Sequence, residues 1–305
     1  MRIIDKSISK ILLVVVFPFL LSCATLSPVG DSAQRVSALS PEAILPRWEP
    51  FAQDSDALAY CAGTTSNPRL EFHALRIDLS SADLRIVVAG DGGQGATLST
   101  KVSSFVRDNN LVAGINALPF DVVSATEGEP RVNVGLVIAD GVEISPPHPG
   151  FDALVVYADG SAAITAQSDR GEHVVQAVGG FRRILEGGEL VARVQNLKAR
   201  HPRSAAGISA DGRYLYLVVI DGRRPGSVGS TEAETAVMLR SLGASEGINF
   251  DGGGSSALAL RYPDGTVRVV NTPVHGGIPG RERAVAGCLG IRKISHGGTE
   301  ARREE

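Results

Sequence analysis

The chain has 305 residues, a formal net charge of −3 and 43% hydrophobic residues. This charge balance, without any long basic run, argues against bulk binding to nucleic acid. The three cysteines include no CxxC pair, and the six histidines form no HxxxH or HExxH pair, so no metal site can be identified from spacing. No cofactor is evident, and a divalent-metal requirement stays open.

The first 22 residues have the form of a secretory signal peptide. Three basic residues precede the apolar run 11–21, which is too short for a comfortable membrane span. The run ends in Leu-Leu-Ser-Cys, which resembles the lipobox of bacterial lipoproteins and implies cleavage before Cys23 and acylation of that cysteine. An ordinary signal peptide with an incidental cysteine is the alternative. Because Ala24 follows rather than an acid, the pattern is similar to lipoproteins of the outer membrane that face the periplasm in Gram-negative bacteria.

Three further segments are distinguished by composition. Residues 23–48 are rich in Ser, Pro and Ala, which predicts a tether. Residues 49–294 are numerous enough for one sizeable core and predict a single domain. Residues 295–305 are polar and charged, which predicts a solvated tail.

Strand-like alternation dominates the domain, in segments 70–79, 84–89, 132–144 and 153–165. Asp-Gly pairs, the strongest short hairpin signal, begin at residues 140, 159, 211 and 264. We interpret these four acids as turn residues rather than as catalytic acids.

Two segments have helical spacing, 97–110 and 230–244. The second begins with Thr231 and Glu234 in the form of a capping box, and Gly243 suits its C-terminal cap. These elements predict an α+β fold: one strand-rich domain with a mixed sheet, a β-α-β crossover and few helices.

The crossover is predicted around the second helix. An apolar strand at 214–220 ends at Asp221, and a second strand after the helix ends at Asp251. If these strands are parallel neighbours about 4.8 Å apart, both carboxylates can approach one ligand at the carboxyl ends of the strands. The alternatives are structural: Asp221 bonds its loop backbone, and Asp251 opens a glycine turn.

Glycines 252–254 follow Asp251 and lack the spacing of dinucleotide or P-loop motifs. Their N–H groups, next to Ser255, suit an anionic oxygen. Arginines occur in clusters, at 200 and 203, at 223 and 224, and at 281 and 283, and a planar guanidinium suits phosphate or carboxylate. Simple solvation is the alternative for each arginine. Cys61 and Cys288 could form one disulfide in an oxidising compartment or stay as buried thiols.

Several segments together resemble the phosphodiester glycosidase (NAGPA) domain family. They are VAGINALPFD at 112–121, VQAVGGFRRILEGGEL at 175–190, residues 201–223 from HPRSAAGI to VIDGR, residues 231–258 with NFDGGGSSAL, and NTP at 271–273. The resemblance extends over about residues 70–292. It implies hydrolysis of a sugar-1-phosphodiester to free sugar, with the phosphate left on its other alcohol.

Matched residue by residue, the resemblance implies a site. The catalytic candidates are Asp251, Asp221 and Glu234, because glycosidases generally use two carboxylates. The candidates for substrate binding are Asn116, Arg203, Arg223, Gly252, Gly253, Ser255, Asn271 and Arg283. Glu234 has the capping-box role as its alternative. Asn116 is followed by Ala-Leu-Pro where relatives often carry glycine, which leaves the sugar preference open.

The sequence therefore predicts a hydrolase of sugar-1-phosphodiesters or phosphate-containing glycans, in envelope glycan or exopolysaccharide metabolism. Two alternatives remain at this point. One is a non-catalytic glycan-binding or assembly protein on the same fold, and the other is a phosphodiesterase that releases sugar phosphate.

Overall fold

A computed structural model describes residues 46–52, 55–90 and 95–294. The predicted signal peptide, the acylation site Cys23, nearly all of the predicted tether and the tail 295–305 lie outside the described residues. Among the helices of the described part, none has the length and apolar character needed to cross a membrane.

Twenty strands and two α-helices make up the described part of the chain. The helices are α1 (Val102–Asp108) and α2 (Glu232–Leu242). In chain order, strands β1 to β10 are Glu49–Ala52, Ser55–Ser66, Arg69–Asp78, Leu84–Val88, Ala96–Leu98, Ala113–Asn116, Pro130–Val132, Val137–Ala139, Val142–Ser145 and Asp152–Tyr157. Strands β11 to β20 are Ala162–Ala166, Val174–Gly179, Arg182–Glu186, Glu189–Leu190, Arg203–Ile208, Tyr214–Ile220, Glu246–Asn249, Leu258–Arg261, Val267–Val269 and Cys288–Lys293.

The strands form three sheets and a two-stranded ribbon. The large sheet has the order β1-β2-β3-β16-β15-β17-β13-β14, the second sheet β11-β10-β12-β8-β9, the third sheet β19-β18-β6-β20-β4, and the ribbon β5-β7. Every pair of these strands is antiparallel.

The fold is therefore mainly β, with 46% of the described residues in strands and 11% in helices, and the α+β prediction with a mixed sheet is wrong. The predicted crossover fails for a specific reason. Strand β15 pairs with β16 on one side and with β17 on the other, so β16 and β17 are not neighbours. They lie two strand spacings apart, about 10 Å. The pattern of apolar residues identified the elements, but it carried no information about this insertion.

Local predictions from turn and cap chemistry are confirmed. All four Asp-Gly pairs connect antiparallel neighbours. In the first of them, Asp140 and Gly141 both have positive φ, 48° and 80°, as a type I′ hairpin turn requires. Helix α2 begins with a complete capping box between Thr231 and Glu234 and ends at Gly243, with φ of 115°.

The hydrophobic core lies where the three sheets meet. One cluster joins Leu217 of the large sheet, Leu154 of the second and Ile115 of the third, each almost fully buried. Helix α2 covers the opposite face of the large sheet, and α1 covers the outer face of the third sheet.

Cys61 and Cys288 are buried thiols in different hydrophobic clusters. They therefore do not form the disulfide that was one of the two alternatives. Burial raises the pKa of the Cys61 thiol to about 12, which keeps it protonated at neutral pH.

Candidate active site

The glycine loop, residues 251–256, follows β17 and contains a short 3-10 turn, Gly253–Ser255. Its N–H groups mostly bond within the protein. Gly252 N donates to Asp251 Oδ1 at 2.9 Å, and Gly253 N donates to Pro202 O at 2.8 Å. The expectation that these two N–H groups hold an anion is therefore not supported, because they already have acceptors.

The glycines instead make room for two arginines. A Cβ added at Gly253 would lie 3.0 Å from Arg223 Nη2, and a Cβ added at Gly254 would lie 2.5 Å from Arg283 Nη2. The guanidinium groups thus lie directly over two consecutive glycines, in the space that side chains would fill. Arg223 has φ of 58°, a left-handed conformation uncommon for a residue with a Cβ, and such strain concentrates at functional sites.

Each of these guanidinium groups contacts a histidine. Arg223 Nη2 lies 3.1 Å from His201 Nδ1, and Arg283 Nε lies 3.1 Å from His275 Nδ1. An arginine only donates, so each Nδ1 accepts and each imidazole is neutral with its proton on Nε2. Burial, together with the neighbouring arginines, lowers the pKa of both histidines, which agrees with the neutral form.

Asp251 is the half-buried carboxylate beside this arginine pair. Burial raises its pKa, against the hydrogen bond from Ser255, the charge of Arg283 and the N–H of Gly252, all of which lower it. Ser255 Oγ accepts from Arg283 Nη1 at 3.0 Å, so its hydroxyl connects the guanidinium to the carboxylate. A carboxyl group with a raised pKa next to fixed positive charge is suited to acid–base work near neutral pH.

Asn116 holds the backbone of this site in place. Its Nδ2 donates to Asp251 O at 2.7 Å, and its Oδ1 accepts from Ser204 Oγ at 2.6 Å and from Ala257 N at 3.1 Å. With 1% exposure, Asn116 joins the end of β6 to the glycine loop rather than facing solvent. It is a positioning residue.

Asp221 is fully buried and its carboxylate is occupied. It accepts from Arg224 Nη2 at 2.6 Å, from Asn271 Nδ2 at 3.0 Å and from Thr272 N at 3.0 Å. Asn271 also donates to Ser256 O, so this network holds the last residue of the glycine loop in place. The expected approach of Asp221 and Asp251 to one ligand is not found, because β15 separates their strands.

Glu234 and Arg203 belong to the framework around the start of α2. The Glu234 carboxylate completes the capping box and binds both terminal nitrogens of Arg200, at 2.7 and 2.5 Å. Arg203 donates to Ser230 O and Ala199 O, both at 3.2 Å, and is 9% exposed. Both side chains have protein partners, and for Glu234 these are the capping box and Arg200.

Asp221 also lies close to two other side chains of types that bind metal ions, Glu71 and His73. One ligand atom from each of the three lies within 4.8 Å of the others. His73 Nε2 is buried without a hydrogen-bond partner. However, Arg224 Nη2 already lies 2.5 Å from Glu71 and 2.6 Å from Asp221. The guanidinium of Arg224 therefore already neutralises both carboxylates, and the three residues fit a metal ion poorly.

The structure thus brings together Asp251, Ser255, Arg223 and Arg283 around the glycines and places the other predicted residues in the support behind them. His201 and His275, each partly buried, complete this group and were not predicted as site residues. Neither histidine belongs to an HxxxH or HExxH pair, and each contacts its arginine across a loop. The sequence signal that could have found them is adjacency: each lies in or beside a segment that contains a predicted residue.

Comparison with known proteins supports this assignment of family. The family model of the phosphodiester glycosidases, NAGPA, matches residues 109–292, more than half of the chain. Among curated proteins, none matches significantly by sequence.

Two solved structures share the fold. The catalytic domain of zebrafish N-acetylglucosamine-1-phosphodiester alpha-N-acetylglucosaminidase, auto-inhibited by its pro-peptide, superposes with a TM-score of 0.62 and 19% identity, over 82% of this chain and 89% of that one. A hypothetical protein from Synechocystis gives a TM-score of 0.59 and 13% identity, over 83% of this chain and 64% of that one. At these identities the structures establish the fold, and the family model establishes membership: the chain belongs to the phosphodiester glycosidase family.

Proposed function

We propose that the chain hydrolyses the glycosidic bond of a sugar-1-phosphodiester in glycan metabolism of the bacterial envelope. The observation that carries the proposal is the arginine pair over the glycines. Arg223 and Arg283 have no carboxylate within 4.0 Å among the described residues, so their charges are available to an anion. A guanidinium pair of this kind matches the two unesterified oxygens of a phosphodiester.

The reaction follows from this placement. Water attacks C1 of the sugar while the bond from C1 to the phosphate oxygen breaks, and the bonding electrons stay on that oxygen. The products are free sugar and a phosphate monoester of the other alcohol. Since the departing phosphate is a weak base, Arg223 and Arg283 are expected to stabilise its developing charge, and a strong general acid is not needed.

Asp251 is assigned the role of general base toward the attacking water. As a carboxylate it accepts that proton, and its negative charge also stabilises positive charge at C1. Because burial raises its pKa, Asp251 is a better base than an exposed aspartate once it is ionised. Ser255, between Asp251 and Arg283, orients the carboxylate. Asp221 and Glu234, whose oxygens have protein partners, are assigned structural roles.

The proposal also includes where in the cell the protein is located. The lipobox-like segment before Cys23 supports a lipid anchor in the bacterial envelope, at the outer membrane facing the periplasm in a Gram-negative cell. Growth with a radiolabelled fatty acid tests this directly. The protein should incorporate the label, and Cys23→Ser should abolish incorporation; labelling that survives the substitution would contradict the anchor.

The activity is tested with a panel of sugar-1-phosphodiesters, beginning with an α-N-acetylglucosamine-1-phosphodiester, with and without chelator. The proposal predicts free sugar from the wild-type protein and none from Asp251→Ala. Release of sugar phosphate would instead identify a phosphodiesterase. Binding without any product, across the panel, would identify a glycan-binding protein.

A further inference from the structure

The exposed guanidinium of Arg223 depends on a histidine for its direction. Arg223 Nη2 lies 3.1 Å from His201 Nδ1, and among the described residues His201 is the only hydrogen-bond partner of this guanidinium. Fixing a long, flexible side chain costs conformational entropy, so an exposed arginine without a partner would populate several positions. The imidazole therefore selects the position over Gly253.

Arg283 has the same arrangement at the next glycine. Its Nε donates to His275 Nδ1 at 3.1 Å, and its Nη1 donates to Ser255 Oγ at 3.0 Å. These two contacts leave Nη2 beside Gly254. Two histidines that are far apart in the chain thus make the same contact, in which an Nδ1 acceptor fixes a guanidinium over a glycine.

Both imidazoles belong to backbone that is held in place. His201 N donates to Ser230 O at 3.1 Å, and Ser230 N donates to His201 O at 3.0 Å. His275 N donates to Arg281 O at 3.0 Å, and the His275 Cα lies 3.3 Å from a Cβ added at Gly254. Because the rings start from fixed backbone, they can hold the side chains that contact them.

The charged groups that act on these two rings are arginines. Together with burial, they lower the pKa of both imidazoles: Arg203 and Arg223 act on His201, and Arg283 and Arg281 act on His275. Among the described histidines, only His73 has a carboxylate within 4.0 Å of its ring nitrogens. A protonated imidazole donates from both nitrogens, so an imidazolium in either place would set an N–H and a positive charge against the guanidinium that its Nδ1 now accepts from.

We propose that His201 and His275 are positioning residues for the phosphodiester: each neutral imidazole holds one arginine of the pair over its glycine, and protonation of the imidazole releases that arginine. This inference rests on the proposed function, because it takes Arg223 and Arg283 to bind the phosphodiester. Binding of a phosphodiester anion should therefore weaken in acid. By charge alone the opposite is expected, since an added imidazolium and protonation of Asp251 would each strengthen the binding of an anion.

Nuclear magnetic resonance of the full-length protein with nitrogen-15-labelled histidine tests the inference in two measurements. Long-range proton–nitrogen correlations of the free protein should show both rings with their proton on Nε2 at neutral pH. Titration with diethyl phosphate, whose single charge is constant between about pH 5 and pH 8, should show binding that is about tenfold weaker at the acidic end.

Paired substitutions separate the Nδ1 contact from other roles of the rings. Asparagine presents Oδ1 where the imidazole presents Nδ1, and it does not titrate. The double variant His201→Asn, His275→Asn should bind diethyl phosphate at neutral pH within about threefold of the wild type and should lose the weakening in acid. Glutamine, whose amide replaces Nε2 instead, should at both positions give binding about tenfold weaker throughout the pH range.

His173→Asn is the matched control. His173 lies before β12, whereas the chain after the end of β12 contacts β17, since Phe181 N donates to Asn249 O at 2.9 Å. His173 has φ of 60°, which asparagine adopts readily, so the substitution should leave the wild-type pH dependence unchanged.

Binding that is unchanged or stronger in acid would overturn the inference. So would rings with their proton on Nδ1 at neutral pH, or an asparagine double variant that keeps the weakening in acid. The ring spectra need no ligand, so the two proposals are distinguished. Rings in the expected state without any binding of diethyl phosphate at neutral pH would overturn the proposed function, and this inference with it.

Discussion

Replacement of Gly254 by alanine is expected to damage catalysis far more than folding. The added Cβ would lie 2.5 Å from Arg283 Nη2, where ordinary contacts are about 3.5 Å or longer. The guanidinium must therefore move by about 1 Å. A displacement of about 1 Å in a positioned group costs on the order of 100-fold in rate, so kcat/KM should fall by roughly that factor.

Stability should change little in this variant. The atom that must move furthest is the far end of a flexible side chain, and the His275 Cα, at 3.3 Å, must give only by a few tenths of an ångström. The free energy of unfolding should therefore fall by about 1 kcal/mol or less. The melting temperature of a domain of this size should then fall by roughly 4 °C at most. Initial rates with a sugar-1-phosphodiester and thermal denaturation followed by circular dichroism measure the two effects.

Gly252→Ala is the matched control within the same loop. Its added Cβ would lie 2.7 Å from Pro202 O, a backbone atom that cannot move alone. Overpacking of this kind typically costs about 1–3 kcal/mol, so this variant should lose more stability than Gly254→Ala. Wild-type kcat/KM in Gly254→Ala would refute the assignment of Arg283 to the substrate, since the arginine cannot keep its position beside the new side chain.

Three further predictions concern single residues of the site and its support. Because burial raises the pKa of Asp251, ionisation of this carboxyl group destabilises the fold as the pH rises through that pKa. Asp251→Asn should therefore be inactive and yet melt at a higher temperature than the wild type at neutral pH. The difference in melting temperature should vanish in acid, below the ordinary aspartate pKa of about 3.9. Equal melting temperatures at all pH values would contradict this. Glu234→Ala loses the helix cap and the contact with Arg200, so its free energy of unfolding should fall by about 1–3 kcal/mol. Its kcat should change by less than about threefold. A loss of kcat near 100-fold would instead indicate a catalytic role for Glu234. Finally, a thiol-specific reagent should not modify Cys61 or Cys288 in the native protein, and a reductant should leave the melting temperature unchanged; a drop on reduction would indicate a disulfide.

The local part of the fold could be predicted from sequence because its causes are local. Asp-Gly turns connect neighbouring strands, and the Thr231–Glu234 capping box sets the start of α2. The insertion of β15 between β16 and β17 depends on pairing between segments far apart in the chain, which alternation does not encode. The parallel-sheet argument about ligand position therefore did not apply here, although the site does lie at the edge that it indicated.

The candidate site divides in the same way. The sequence identified Asp251, Arg223 and Arg283 through the glycines and the family pattern. It could not separate them from Asp221 and Glu234, because exposed and buried carboxylates are alike in sequence. The difference is made by partners such as Arg224, which are brought to these acids by the fold. Burial and hydrogen-bond occupancy decide which acid can meet a substrate.

The central claim is that the bond between C1 of the sugar and the phosphate oxygen is cleaved. Turnover of a sugar-1-phosphodiester in water enriched in oxygen-18, followed by mass spectrometry of both products, tests it most directly. The account predicts that the label enters the free sugar and that the phosphate monoester contains none. Label in a phosphate product, with sugar phosphate released, would contradict the account.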